Sequence, residues 1–191
     1  MTNWKSKKKS LMRMYYGSTN WKGYLKGRIT GYYGYYIYKF MLHLRRYEYL
    51  LSKQGGILLT AARVWHLRKY QKYGRMLGYT IGDGVLGENV VFYHPASIII
   101  NPNARVGEGC RFHGDCCIGV ARTGEHGCPV LGKNVDIGVG AKILGDIYIA
   151  DNIVIGANAV VTRSFTEPGI TIAGVPARQI STNTSAEKAD A

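Results

Sequence analysis

From Leu131 to Val161 an aliphatic side chain returns every six positions: Leu131, Ile137, Ile143, Ile149, Ile155 and Val161. The fifth place of each unit is small or aliphatic, as at Val135, Ala141, Ile147, Ile153 and Ala159. A beat of six is neither the 3.6 of a helix nor the 2 of a lone strand. It predicts a parallel β-helix, in which each hexad supplies one short flat strand and one corner. Backbone hydrogen bonds then join coils about 4.8 Å apart. Gly132, Gly138 and Gly156 directly follow three of the aliphatic positions, and glycine suits a corner because it reaches φ > 0 without steric cost. The same phase runs upstream through Ile100, Val106, Phe112 and Ile118, and Leu86 and Phe92 are also six apart. It breaks twice: Phe92 to Ile100 is eight residues, and Ile118 to Leu131 is 13 rather than 12. A regular coil is scaffold, whereas a break in register pushes polar side chains out of it.

Before the hexads the period changes. From Tyr35 to Ser52, Ile37, Phe40, Met41, Leu44 and Leu51 share one helical face. Gly55-Gly56 ends that segment. A second helix is predicted over Ile57–Tyr73, with Leu58, Ala61 and Trp65 on one side, closed by Gly74 and Gly78. Residues 1–34 are basic and rich in Tyr and Gly with no clean period, so an irregular arm is expected there. The chain thus divides into an arm (1–34), a helical region (35–78), a β-helix (79–181) of roughly five coils at three hexads each, and a small polar tail (182–191) expected to be disordered.

Charge is divided along the same line. Net charge is +13, yet residues 1–78 hold 17 of the 25 Lys and Arg and a single acid, Glu48. Such a surface meets something anionic. Two readings of the helical region stay open: a hairpin packed on the β-helix or on another subunit, and a peripheral membrane anchor with basic flanks. No nucleic-acid motif is present. No run approaches 18 apolar residues. Cys110, Cys116, Cys117 and Cys128 lack zinc spacing; Cys110 and Cys116 occupy the small place of their hexads, which predicts buried thiols in a reducing, cytoplasmic setting. Gly82, Gly84 and Gly87 match a dinucleotide fingerprint as a string, but hexads rather than a helix follow, so they are read as corners.

The hexads, together with Gly138-Val139-Gly140-Ala141-Lys142-Ile143-Leu144-Gly145 and the closing Gly174-Val175-Pro176-Ala177-Arg178, resemble the hexapeptide-repeat acyltransferases, most closely their serine acetyltransferase-like and polysaccharide O-acetyltransferase branch. The resemblance covers about residues 79–180. It implies a left-handed β-helix, against the usual right-handed crossover. It also implies a homotrimer with sites between subunits, and acetyl-CoA as co-substrate with no metal.

Acetyl transfer to a hydroxyl needs a base, and imidazole suits that role near pH 7. His94, in the first break, matches the family's catalytic histidine. His113 lies 19 residues later, close to one coil of 18, and is expected beside it. His126 and Glu125, in the second break, together with Tyr93 and Asp115, are candidate acceptor-binding residues. By matching position Gly119, Gly138, Ala141 and Ala159 line the CoA groove, and Arg178 with Arg163 meets its phosphates. Backbone N–H groups at Gly119 or Gly138 would hold the oxyanion. The pattern departs from the serine enzymes in three places: Tyr93 stands where an acid precedes the base, Tyr79 where an orienting acid lies, and Cys128 where a second histidine precedes Pro129. Asp83, Asp115 and Glu125 remain as possible orienting carboxylates. These departures and the basic arm lead to a sugar hydroxyl of a surface polysaccharide or its precursor as the expected acceptor. Serine O-acetylation is the alternative, requiring a carboxylate beside the base. A non-catalytic trimeric scaffold is the third reading.

Overall fold

The computed structural model of the protein describes residues 4–16, 21–122, 124 and 127–182. The chain forms two compact units, Met1–Tyr79 and Thr80–Ala191.

The first unit is helical: α1 (Trp4–Tyr16), α2 (Trp21–Thr30), α3 (Tyr33–Leu51) and α4 (Ile57–Leu77). Helices α1 and α2 correct the expectation of an irregular arm. The apolar period is missing from α2 because its contact surface is made of glycine. Gly23 admits the Tyr16 ring, and Gly27 lies against the Tyr35 Cβ. Tyr16, Tyr24, Tyr35 and Tyr38 then meet edge-on or tilted at centroid distances of 5.3–6.1 Å. Such aromatic contacts stabilise a helix that propensity alone disfavours. In α3, Ile37, Phe40, Met41 and Leu44 are buried.

Helix α4 runs past the expected stop at Gly74, because the Phe40 ring packs against that glycine, and ends at Gly78 with φ +79°. The side of α4 carrying Leu58, Ala61 and Trp65 is exposed, while Tyr70, Gly74 and Leu77 are buried. Among the described residues no helix is long and apolar enough to cross a membrane.

The second unit is a parallel β-helix. Its strands in chain order are β1 (Tyr79–Ile81), β2 (Val91–Phe92), β3 (Ile98–Ile100), β4 (Arg105–Val106), β5 (Arg111–Phe112), β6 (Cys117–Gly119), β7 (Val130–Leu131), β8 (Asp136–Ile137), β9 (Lys142–Leu144), β10 (Tyr148–Ile149), β11 (Val154–Ile155), β12 (Val160–Val161), β13 (Thr171–Gly174) and β14 (Ala177–Ser181). They form three walls: β1-β3-β6-β9-β12, β4-β7-β10 and β2-β5-β8-β11-β13-β14. The pairing of β13 with β14 is antiparallel, and those that link β2 through β13 along their wall are parallel. The predicted six-beat positions stack into ladders inside the coils. Phe92, Phe112, Ile137, Ile155 and Ile172 form one, and Ile100, Ile118, Ile143 and Val161 another. All are buried.

Two details differ from the sequence reading. Gly132, Gly138 and Gly156 are not the left-handed corners. Those are Gly84, Gly109 and Gly140, and equally Asn89, Asn134, Asn152 and Asn158 with φ between +55° and +59°. Gly132 and Gly138 instead lie where the next coil's backbone approaches too closely for a Cβ. The second break is also larger than one residue. Ile118 and Leu131 sit on consecutive walls, which a regular hexad joins in six, so the 119–130 connection holds seven extra residues.

Candidate active site

The wall carrying β2, β5 and β8 positions the polar residues. Phe92 pairs with Phe112 and Arg111 with Asp136. The buried Phe92 and Phe112 rings stack at 5.1 Å beneath. One residue further on, Tyr93 N–H donates to the Phe112 carbonyl at 3.0 Å, and His113 N–H to the Ile137 carbonyl at 3.1 Å. The neighbour stacked on His113 is therefore Tyr93, not His94. The first break makes this coil 20 residues long rather than 18. The Tyr93 and His113 rings lie 4.8 Å apart at an interplanar angle of 27°. His94 follows at the exposed corner between β2 and β3.

His113 Nε2 is 2.7 Å from Asp136 Oδ1, and Arg111 Nη1 is 3.6 Å from the other carboxylate oxygen. A carboxylate oxygen accepts, so the ring nitrogen Nε2 is the donor of this contact. The His113 side chain is 38% exposed and Asp136 22%. The imidazole is thus half-covered and held through one ring nitrogen. Sequence reasoning found His113 but missed Asp136 and Arg111. Their signal was the shared hexad phase, hidden by the seven inserted residues between them.

The other candidates separate. Asp115 is exposed with φ +51°, and its carbonyl accepts from Lys142 Nζ. Asp83 is exposed in a turn of the first coil. Glu125 and His126 lie outside the described residues, as does the tail from 183 onward. Ala141 and Ala159 are fully buried within the coils, which corrects their expected place in a groove wall. Gly138 N–H is already donated to the Ile155 carbonyl at 2.8 Å and does not serve an oxyanion. At Gly119 the nearest atom to an added Cβ is 3.8 Å away. Arg163 lies over the Phe165 ring at 5.0 Å, and Arg178 is exposed on β14. Cys128 is buried, and burial raises its thiol with Asp146 adding to the effect, which opposes a nucleophile's role. Among the described residues no group of three or more His, Cys, Asp or Glu side chains is placed to hold a metal ion.

No family model matches the chain. A serine acetyltransferase of Helicobacter pylori strain J99 is 31% identical over 148 residues, which are 71% of this chain and 86% of that protein. The chain belongs to the serine acetyltransferase family. The serine acetyltransferase of Mycobacterium tuberculosis is 37% identical over 138 residues, 71% of this chain and 57% of that one. The chain spans little more than half the length of that protein and 51% of the Buchnera aphidicola serine acetyltransferase. Among solved structures, a soybean serine acetyltransferase complexed with serine shares 24% identity at TM-score 0.62, over 76% of this chain and 58% of that one. A Brucella abortus serine acetyltransferase in complex with coenzyme A shares 23% at TM-score 0.62, over 75% and 55%. The fold is accordingly the left-handed β-helix with an N-terminal helical region.

These relatives correct the expected acceptor. A sugar or polysaccharide hydroxyl is the acceptor expected from Tyr93, Tyr79 and Cys128 in place of family side chains and from the basic arm. The matched proteins are serine acetyltransferases, and they overturn that reading. That expectation looked for a carboxylate next to His94 in sequence. In the structure Asp136 approaches His113 from across the wall.

Proposed function

We propose that this member of the serine acetyltransferase family transfers the acetyl group of acetyl-CoA to the hydroxyl of serine. The observation that carries the reading is the match across 86% of the Helicobacter pylori serine acetyltransferase. An imidazole on the β2–β5 wall takes the hydroxyl proton; the resemblance gives this role to His94, and His113 stands on the next coil. The serine oxygen attacks the thioester carbonyl, the carbon–sulfur bond breaks, and the imidazolium returns the proton to the departing thiolate. No acyl-enzyme is formed. Gly119 leaves room for the thioester arm, and Arg163 and Arg178 are cations for the CoA phosphates. Tyr93 flanks the acceptor, with Asp115 at the following corner.

The chain acts as a homotrimer with its sites between subunits, in the cytoplasm. The exposed apolar side of α4, set among Arg63, Arg68 and Lys69, supports peripheral contact with an anionic membrane face.

Purified protein given acetyl-CoA and L-serine should release thiol at a rate that depends on serine. His94→Ala should lower that rate about 10²–10⁴-fold. A native protein that releases no thiol above the serine-free rate overturns the reading. A rate indifferent to His94→Ala removes His94 from the chemistry.

A further inference from the structure

Two stripes at i, i+4 spacing meet between α3 and α4: Tyr35, Lys39 and His43 on one helix, Trp65, Lys69 and Tyr73 on the other. The His43 ring joins them, meeting Trp65 edge-on at 5.1 Å and stacking on Tyr73 at 5.8 Å. Lys39 Nζ lies 6.0 Å from the Tyr35 ring centroid, and Lys69 Nζ 5.6 Å from that of Trp65. Two ammonium groups are thus held on a frame of aromatic rings. They also repel each other. Burial lowers the Lys39 pKa, and Lys69, Arg28 and Lys8 lower it further. Each of the four helices therefore contributes one cation to this set. The unit holds no carboxylate to balance them: Glu48, the one acid in residues 1–79, is paired with Arg45 at 2.9 Å. The imidazoles of His43 and His66 carry no negative charge in either protonation state. Gathering like charges without a counter-charge costs free energy, which a bound anion removes.

We propose that Lys39 and Lys69 bind the phosphomonoester headgroup of an anionic phospholipid, with Arg28 and Lys8 as outer cations. The inference rests on the reading of the helical unit as a peripheral membrane contact, and it gives that contact a chemical site. A phosphomonoester carries close to two negative charges at neutral pH, against two ammonium groups. Charge and exposure together select a lipid. Trp65, one turn from Lys69, is exposed, and so are Val64, Leu58 and Ile57 further along the same helix. Aliphatic side chains gain from acyl chains and nothing from a nucleic-acid backbone or a free phosphate. Tryptophan beside basic residues is the pairing found at headgroup depth. A second copy of the chain would bring 17 further basic side chains against one acid, and the two units would repel.

Full-length protein is titrated with phosphatidylcholine vesicles that contain phosphatidic acid or phosphatidylglycerol, matched for surface potential. Phosphatidic acid should be bound about fivefold or more tightly than phosphatidylglycerol. Lys39→Gln and Lys69→Gln should each weaken binding to phosphatidic acid about 10–100-fold. Lys72→Gln, at an exposed place on α4, should cost about fivefold, the share of any lysine near an anionic surface. Lys39→Arg keeps the cation and should retain most of the binding, which separates loss of charge from loss of fold. Equal losses at Lys39, Lys69 and Lys72, or equal binding of the two lipids, overturn the site and leave a diffuse basic face. Glycerol 3-phosphate that binds through both lysines as tightly as the vesicles do overturns the lipid assignment in favour of a soluble phosphate. An oligonucleotide that displaces the vesicles and loses affinity in both lysine variants overturns it in favour of nucleic acid. Native protein that binds neither anionic vesicle sinks the membrane reading itself, whereas binding insensitive to Lys39 and Lys69 sinks the site alone.

Discussion

At the scale of single residues, glycines that look alike in sequence do different work. A Cβ built on Gly107 would lie 2.2 Å from the Gly132 carbonyl oxygen, backbone that cannot step aside without parting two coils. Gly107→Ala should therefore destabilise the β-helix by about 2–3 kcal/mol in denaturant melts. On Gly119 the same methyl meets nothing nearer than 3.8 Å, and φ there is not in the left-handed region. Gly119→Ala should be neutral or stabilising by up to about 1 kcal/mol. Any cost it carries should appear in the KM for acetyl-CoA. The cysteines divide in the same way. Cys110, Cys116 and Cys128 are buried, and burial raises all three thiols, Cys110 to about 12. Cys117 is half-exposed. A thiol reagent at pH 8 should label Cys117 in the native protein and the other three only in denaturant, as peptide mass spectrometry would show.

At the scale of elements, α3 and α4 meet through a pair of histidines. His43 Nδ1 and His66 Nδ1 are 3.0 Å apart, and the His43 ring stacks on Tyr73 at 5.8 Å. One ring donates and the other accepts, so the accepting ring is neutral and the pair cannot be doubly protonated. Burial lowers His43 to about 3, with Lys39, His66 and Lys69 adding repulsion, and burial likewise lowers His66 to about 4. In the unfolded chain these imidazoles take up protons near pH 6.5. The folded pKa values lie below that, so the helical unit keeps its full stability above about pH 6.5 and loses it as pH falls toward 3–4. His43, only 3% exposed, should alone cost about 2 kcal/mol at pH 5. Thermal melts followed at 222 nm should show a lower midpoint at pH 5 than at pH 7.5. His43→Phe, which keeps the aromatic contact with Tyr73, should flatten the difference. A midpoint equally pH-sensitive in that variant would assign the effect to other groups.

At the scale of the whole molecule, charge is segregated. Residues 1–78 carry 17 basic side chains against Glu48, which is itself paired with Arg45 at 2.9 Å. The β-helical part and tail hold 8 basic and 11 acidic residues. On α4, Ile57 and Leu58 are each 85% exposed and Trp65 is 51% exposed, with Lys69 Nζ 5.6 Å from the Trp65 ring. Full-length protein should float with vesicles containing anionic lipid and not with neutral ones, and the binding should weaken with salt. Leu58→Glu should reduce it. If Leu58→Glu leaves flotation intact, this face is not the contact.

The six-residue beat by itself determined the β-helix, because a ladder of buried side chains requires the same phase in every coil. That phase is written in the chain wherever coils are regular, and it placed Phe92, Phe112, Ile137 and their partners correctly inside. It also marked the two interruptions and singled out His94 and His113. Three things were decided only by tertiary structure. Helix α2 arose from tyrosine rings seated on Gly23 and Gly27, contacts that leave no apolar period to read. Helix α4 turned the side carrying Leu58, Ala61 and Trp65 outward. The carboxylate beside His113 was hidden longest. Asp136 stands 23 residues from His113 in the chain, across an insertion whose length the hexad phase does not reveal, and only the folded register of β5 on β8 brings it to 2.7 Å.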